Sequence, residues 1–291
     1  MNAKATQRSV GDVEEKGVGR NHGGISKKPV VLAVSLYVLL LILLGVSLLF
    51  DGRVGLTLLA LAADFMVIFA AGYWPVPGMA FERVIGVIGA AVLVGDMQFL
   101  MLGQLPQTDA SGRRIAVLSH SGDFGQVPSS VLLEICTRWA MSVMVVFVAF
   151  VILGFGRQML RRKRTNMVRS LAHGLLVAVT MVGASGWLFA LVLVRYFGGH
   201  LHGAATGPLA RFGEWVTIAV VVLALLMMAG LLVAMTRWWR DLNASDVVAN
   251  DGHEGTVWRR RGGWIGVGLT VPMLSGFVIY LAVAALVLLV G

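Results

Sequence analysis

Two aspartates interrupt long apolar runs, and they carry the strongest chemical signal in this chain of 291 residues. Asp64 lies in LLALAADFMVIF and Asp96 in AAVLVGDMQFLM. A carboxylate near the middle of a membrane helix costs about 2.5–3.5 kcal/mol on insertion scales. Such a residue marks an ion or proton pathway by default. The two runs are joined by a short Pro-rich loop, so they are expected to be antiparallel neighbours. At 1.5 Å of rise per residue their carboxyls differ in depth by roughly 6 Å and could face a common cavity. Two close carboxylates in low dielectric cannot both carry charge cheaply, so at least one is expected to hold its proton at neutral pH. The plainer alternative is that each aspartate bonds a neighbouring backbone group and transports nothing.

Other chemistry-bearing residues give weaker patterns. Glu134 and Arg138 stand at i, i+4 with the acid first, the favourable order for a helical ion pair at the edge of a span. His200 and His202 lie two apart in RYFGGHLHGAATG, on the same expected side as His120 and Asp123. Nothing supplies a recognisable third and fourth ligand, so no metal site is expected. Gly183-Ala184-Ser185-Gly186 resembles the GxSG stretch of rhomboid intramembrane serine proteases, where the serine is the nucleophile and a histidine on a later helix is its base. In this chain the later histidines, His200, His202 and His253, fall in loops, and a serine without a base in reach is not activated. Small residues there have a second use, close helix–helix approach. No Walker-type phosphate loop occurs, and no catalytic residue or cofactor is expected. The single cysteine, Cys136, excludes an intrachain disulfide and a cysteine-based metal cluster.

The elements that must position these residues follow from composition. The chain is 57% hydrophobic and 13% charged, with mean hydropathy +0.82, whereas soluble domains carry roughly 25% charged residues. Lipid must be its solvent. Apolar runs of about 20 residues, enough to cross a core about 30 Å thick, occur at Val30–Phe50, Val54–Trp74, Arg83–Leu102, Trp139–Phe155, Leu171–Val194, Trp215–Thr236 and Trp264–Val290. The expected fold is an all-α polytopic membrane bundle of about seven transmembrane helices. The fourth run is the least clean, because Val131–Arg138 extends it outward. Residues 30–290 form one transmembrane domain, and residues 1–29 are expected to be a disordered basic tail. A short β-like run is expected at Ile115–Leu118, and a bend at Pro272.

The net charge of +9 does not point to nucleic acid, because the basic residues sit in loops that alternate with the spans. Of the 24 Lys and Arg, 18 fall on the side of the amino terminus and six on the other. That bias predicts a cytoplasmic amino terminus and an outward carboxyl terminus in a bacterial-type cell membrane. Arg161, Arg162, Lys163 and Arg164 are expected to lie along anionic headgroups or to meet a partner subunit. The functional expectation is a small permease, or the membrane subunit of one, using Asp64 and Asp96. The alternative is a non-catalytic scaffold or accessory subunit acting through the basic cytoplasmic loops.

Overall fold

A computed structural model of the chain describes residues 28–50, 52–74, 80–101, 129–160, 167–197, 208–248 and 256–290. All of these but Phe50, Tyr73 and Trp74 are helical, with no strand among them, and seven helices are long and apolar enough to cross a membrane. The chain is therefore a multi-pass integral membrane protein. Residues 1–27 of the tail and the loop carrying the expected β-like run lie outside the described residues, and Lys28 and Pro29 open the first helix.

Helices α1 (Lys28–Leu49), α2 (Gly52–Gly72) and α3 (Ala80–Met101) have 22, 21 and 22 residues. At 1.5 Å per residue each is roughly 33 Å long, the thickness of a bilayer core. The turn between α1 and α2 is tight because Gly55 lies against Ser47, where a Cβ would meet the Ser47 carbonyl oxygen. The fourth span is one continuous helix, α4 (Ser129–Leu160), so Val131–Arg138 belongs to it. Helix α7 (Pro208–Val248) and helix α8 (Thr256–Val290) continue beyond their apolar stretches, Gly213–Arg237 and Trp264–Leu289. Helix α8 runs unbroken through Pro272.

The fifth span forms the centre of the bundle and is not a regular helix. It begins as α5 (Met167–Gly183), tightens into a 3₁₀ turn at Ala184–Trp187, resumes as the short α6 (Leu188–Val192) and widens into a π turn at Leu193–Phe197. Every residue from Thr180 to Val192 is buried. A 3₁₀ helix has three residues per turn, so residues three apart eclipse one another. This winding stacks Gly183 and Gly186 along one edge, and Gly276 of α8 fits against both. A Cβ on any of the three would collide with backbone of the other helix. The small residues act here as a backbone-to-backbone crossing.

Around this crossing the core is filled by aromatic rings. Trp139 of α4 lies 4.2 Å from Tyr280, 5.4 Å from Phe189 and 5.9 Å from Phe277, centroid to centroid. Each polar tip finds a partner. Trp187 Nε1 donates to the Pro272 carbonyl at 2.6 Å, Tyr280 Oη to the Cys136 carbonyl at 3.2 Å, and Tyr37 Oη to the Val271 carbonyl at 3.4 Å. In lipid an unpaired polar group is costly, and these bonds satisfy it inside the protein. The seventh span is thereby fixed to α1, α4 and the fifth span together.

Candidate functional site

Asp96 meets α4, whereas Asp64 is a half-buried residue of α2. On α3, Gly89 packs against Val146 and Phe150 of α4. Asp96, seven residues further on, falls about 20° away on the same face. Its carboxylate Oδ2 accepts a hydrogen bond of 2.7 Å from Ser142 Oγ on α4. On α2 the face towards α3 is marked by Ala71, which lines a groove together with Ala80, Val84, Val87 and Ile88 of α3. Asp64 lies seven residues before Ala71, again about 20° apart, and is partly buried. Val87 on the groove side and Asp96 are nine residues apart, which on a helix is about 180°. Among the described residues the partner found for Asp96 is Ser142 on α4, not Asp64.

Ser142 is the neighbour of Asp96 that sequence reading missed. A serine in MSVMVVFV gives no sign of its partner. Only the phase of α4 against α3 brings its hydroxyl to Asp96. The hydroxyl is both donor and acceptor, so it can hold a carboxyl in either protonation state and relay a proton to it.

A carboxylate was also missed. Glu82, in the first turn of α3, is 8% exposed, and its Oε2 lies 2.6 Å from Arg157 Nη1 in the last turn of α4. The contact is off the hydrogen-bond axis, so it is held by charge. The Arg157 guanidinium also lies 4.7 Å over the Phe81 ring, a cation–π arrangement. Gly174 of α5 backs onto Glu82, where a Cβ would stand 3.3 Å from Glu82 Cγ. The sequence does show an acid at the mouth of one apolar run and a basic residue at the end of the next, but not that the two meet. Arg157 is thus turned into the bundle and serves as more than an anchor for headgroups.

Two further arginines reach the carboxyl ends of helices. Arg83 Nη1 donates to the Ala71 carbonyl at 3.1 Å at the end of α2. Arg195 Nη2 donates to the Phe50 carbonyl at 2.6 Å and the Ser47 carbonyl at 3.2 Å at the end of α1. The last carbonyls of a helix have no intrahelical donor and carry partial negative charge, so a cation there satisfies both needs.

The remaining sequence candidates divide by where they fall. Glu134 Oε1 and Arg138 Nη2 are 2.5 Å apart, each side chain 43% exposed, in a local i, i+4 pair on α4. Ser185 is fully buried, accepts from Trp139 Nε1 at 3.2 Å and donates to the Val182 carbonyl at 2.8 Å. Its hydroxyl is engaged in packing α4 against the fifth span. Arg161, Arg162, Lys163 and Arg164 lie outside the described residues, as do His120, Asp123, His200 and His202. Among the described residues no three His, Cys, Asp or Glu side chains gather to hold a metal.

Comparison with protein-family models, with curated proteins and with solved structures gives no match to this chain.

Proposed function

We propose that this protein is a small permease of the cell membrane, or the membrane subunit of one, and that Asp96 and Asp64 are its proton-handling carboxyls. The observation that carries this reading is the hydrogen bond from Ser142 Oγ to Asp96 Oδ2, 2.7 Å long and inside an apolar span. A carboxyl with a hydroxyl partner at membrane depth can take up and release a proton without leaving a buried group unpaired. Asp64, half-buried on α2, serves as a second station. The 18 to 6 distribution of basic residues supports an amino terminus inside and a carboxyl terminus outside.

The test is proton movement into liposomes holding the purified protein, driven by a potassium diffusion potential and read by an internal pH dye. The wild type is expected to conduct. Asp96→Asn should abolish the flux, and Ser142→Ala and Asp64→Asn should reduce it, with all three eluting as folded protein. Unchanged flux in both aspartate variants rejects the assignment.

The filled aromatic core around Trp139 favours a second reading, an accessory subunit acting through its basic loops. It predicts tolerance of both aspartate changes, and loss of a partner when Arg161, Arg162, Lys163 and Arg164 are neutralised.

A further inference from the structure

We propose that Glu82 is a further proton-exchange group on the same route as Asp96, and that its contact with Arg157 gates that end of the route. The inference rests on the reading of Asp96 as a proton-handling carboxyl. Its basis is a register. Glu82, Gly89 and Asp96 stand seven apart on α3, and seven residues fall about 20° short of two full turns. The three therefore lie along one face, and each meets α4: Glu82 at Arg157, Gly89 at Val146 and Phe150, and Asp96 at Ser142. The α4 partners descend in number as the α3 residues rise, as antiparallel helices require. One seam thus joins the two carboxyls, which are roughly 21 Å apart along the helix axis.

The charges at Glu82 suit a group that takes up and releases a proton. Glu82 is 8% exposed, and the cation against it is Arg157. On α5 it faces Gly174, which brings no side chain, and the neighbouring Arg83 is turned to the Ala71 carbonyl of α2. Arg157 is 29% exposed and sits in the last turn of α4, so its flexible stem can carry the guanidinium out to headgroups and water. Their contact is held by charge. A proton added to the Glu82 carboxylate removes that charge and frees Arg157 to turn aside. The proton then leaves to water, and the carboxylate re-forms the pair. Only an O–H bond is made and broken, and no electron moves. Between the two carboxyls the seam is closed by side chains. A Cβ on Gly89 would stand 2.9 Å from Val146 Cγ1 and 3.2 Å from Phe150 Cε2. Side chains open a passage by changing rotamer, whereas the Gly183–Gly276 crossing is backbone against backbone.

The experiment is the proton-flux assay in liposomes, with the unfolding of each protein in micelles measured beside it. Glu82→Gln is expected to bring the flux to background, and Glu82→Asp, which keeps the acid, to retain part of it. The Glu82→Gln, Arg157→Gln double variant separates transport from folding: it should keep more stability than the two single changes predict and still show no flux. Phe150→Ala should raise the flux severalfold, and Asp96→Asn added to it should return the flux to background. Wild-type flux in the double variant overturns the inference, as does unchanged flux in Phe150→Ala. With Asp96→Asn alone inactive, either result leaves the reading of Asp96 standing. Wild-type flux in Asp96→Asn removes that reading, and this inference with it.

Discussion

The carboxylate of Glu82 meets the guanidinium of Arg157 at 2.6 Å, joining the first turn of α3 to the last turn of α4. An acid in the first turn of a helix and a base in the last turn of another each complement the helix dipole. Their meeting adds a cross-helix tie near the surface of the bundle. The Glu82 side chain is 9% exposed and that of Arg157 29%, so removing one partner strands the other in a poorly hydrated place.

Arg157→Gln should therefore destabilise the protein by about 2–3 kcal/mol, below the ~3–5 kcal/mol of a fully buried pair because Arg157 is partly wet. The Glu82→Gln, Arg157→Gln double variant should lose less than the sum of the single changes. Chemical unfolding of the four proteins in micelles checks this, and strict additivity would show that the two groups are uncoupled.

The crossing of the fifth and seventh spans makes a sharper contrast. Gly183→Ala and Gly276→Ala each push a Cβ into the backbone of the opposite helix. The expected loss is at least the ~1–3 kcal/mol typical of overpacking, since backbone cannot swing aside as a side chain does. Gly45→Ala and Gly95→Ala meet nothing within 4 Å and should leave the melting temperature unchanged or slightly raised. Equal effects at all four positions would argue against the crossing.

The Pro272 carbonyl accepts from both Trp187 Nε1 and Ser275 Oγ, each at 2.6 Å. Trp187→Phe keeps the ring and removes one donor, with an expected cost of ~1 kcal/mol. Ser275→Ala alone should be similar or milder. Together they should cost more than their sum, because the buried oxygen then loses both side-chain donors. A double-mutant cycle on unfolding free energies reads this coupling.

Arg195 closes the end of α1 through the Ser47 and Phe50 carbonyls. Arg195→Gln should cost ~1–2 kcal/mol through the lost charge at the helix end and the lost bonds to a charged donor. The local sign is faster amide hydrogen exchange over the last turn of α1, with exchange in α3 and α4 unchanged. Uniform exchange across variants would place the cap's contribution at zero.

The seven spans were legible because crossing a membrane is a local demand. About 20 apolar residues suffice, and they read the same whatever their neighbours. The small residues of the fifth span were likewise legible as a packing surface, and Glu134 with Arg138 as a spacing of four. Rotational phase was not legible. The hydrophobic pattern of a membrane helix runs nearly all round it, so the sequence does not say which side faces the bundle. For this reason Ser142 could not be assigned to Asp96, nor Glu82 to Arg157. The shared-cavity expectation for Asp64 and Asp96 rested on the same missing quantity.

By itself the sequence determined that lipid surrounds this chain, how many times the chain crosses, and where its costly charges fall along each crossing. Tertiary structure alone decided which groups meet: the serine on Asp96, the arginine on Glu82, the glycines at the central crossing and the carbonyls under Trp187. The physical reason is range. Burial in a bilayer is decided residue by residue along one helix, whereas a hydrogen bond or ion pair requires two helices to agree in angle and depth.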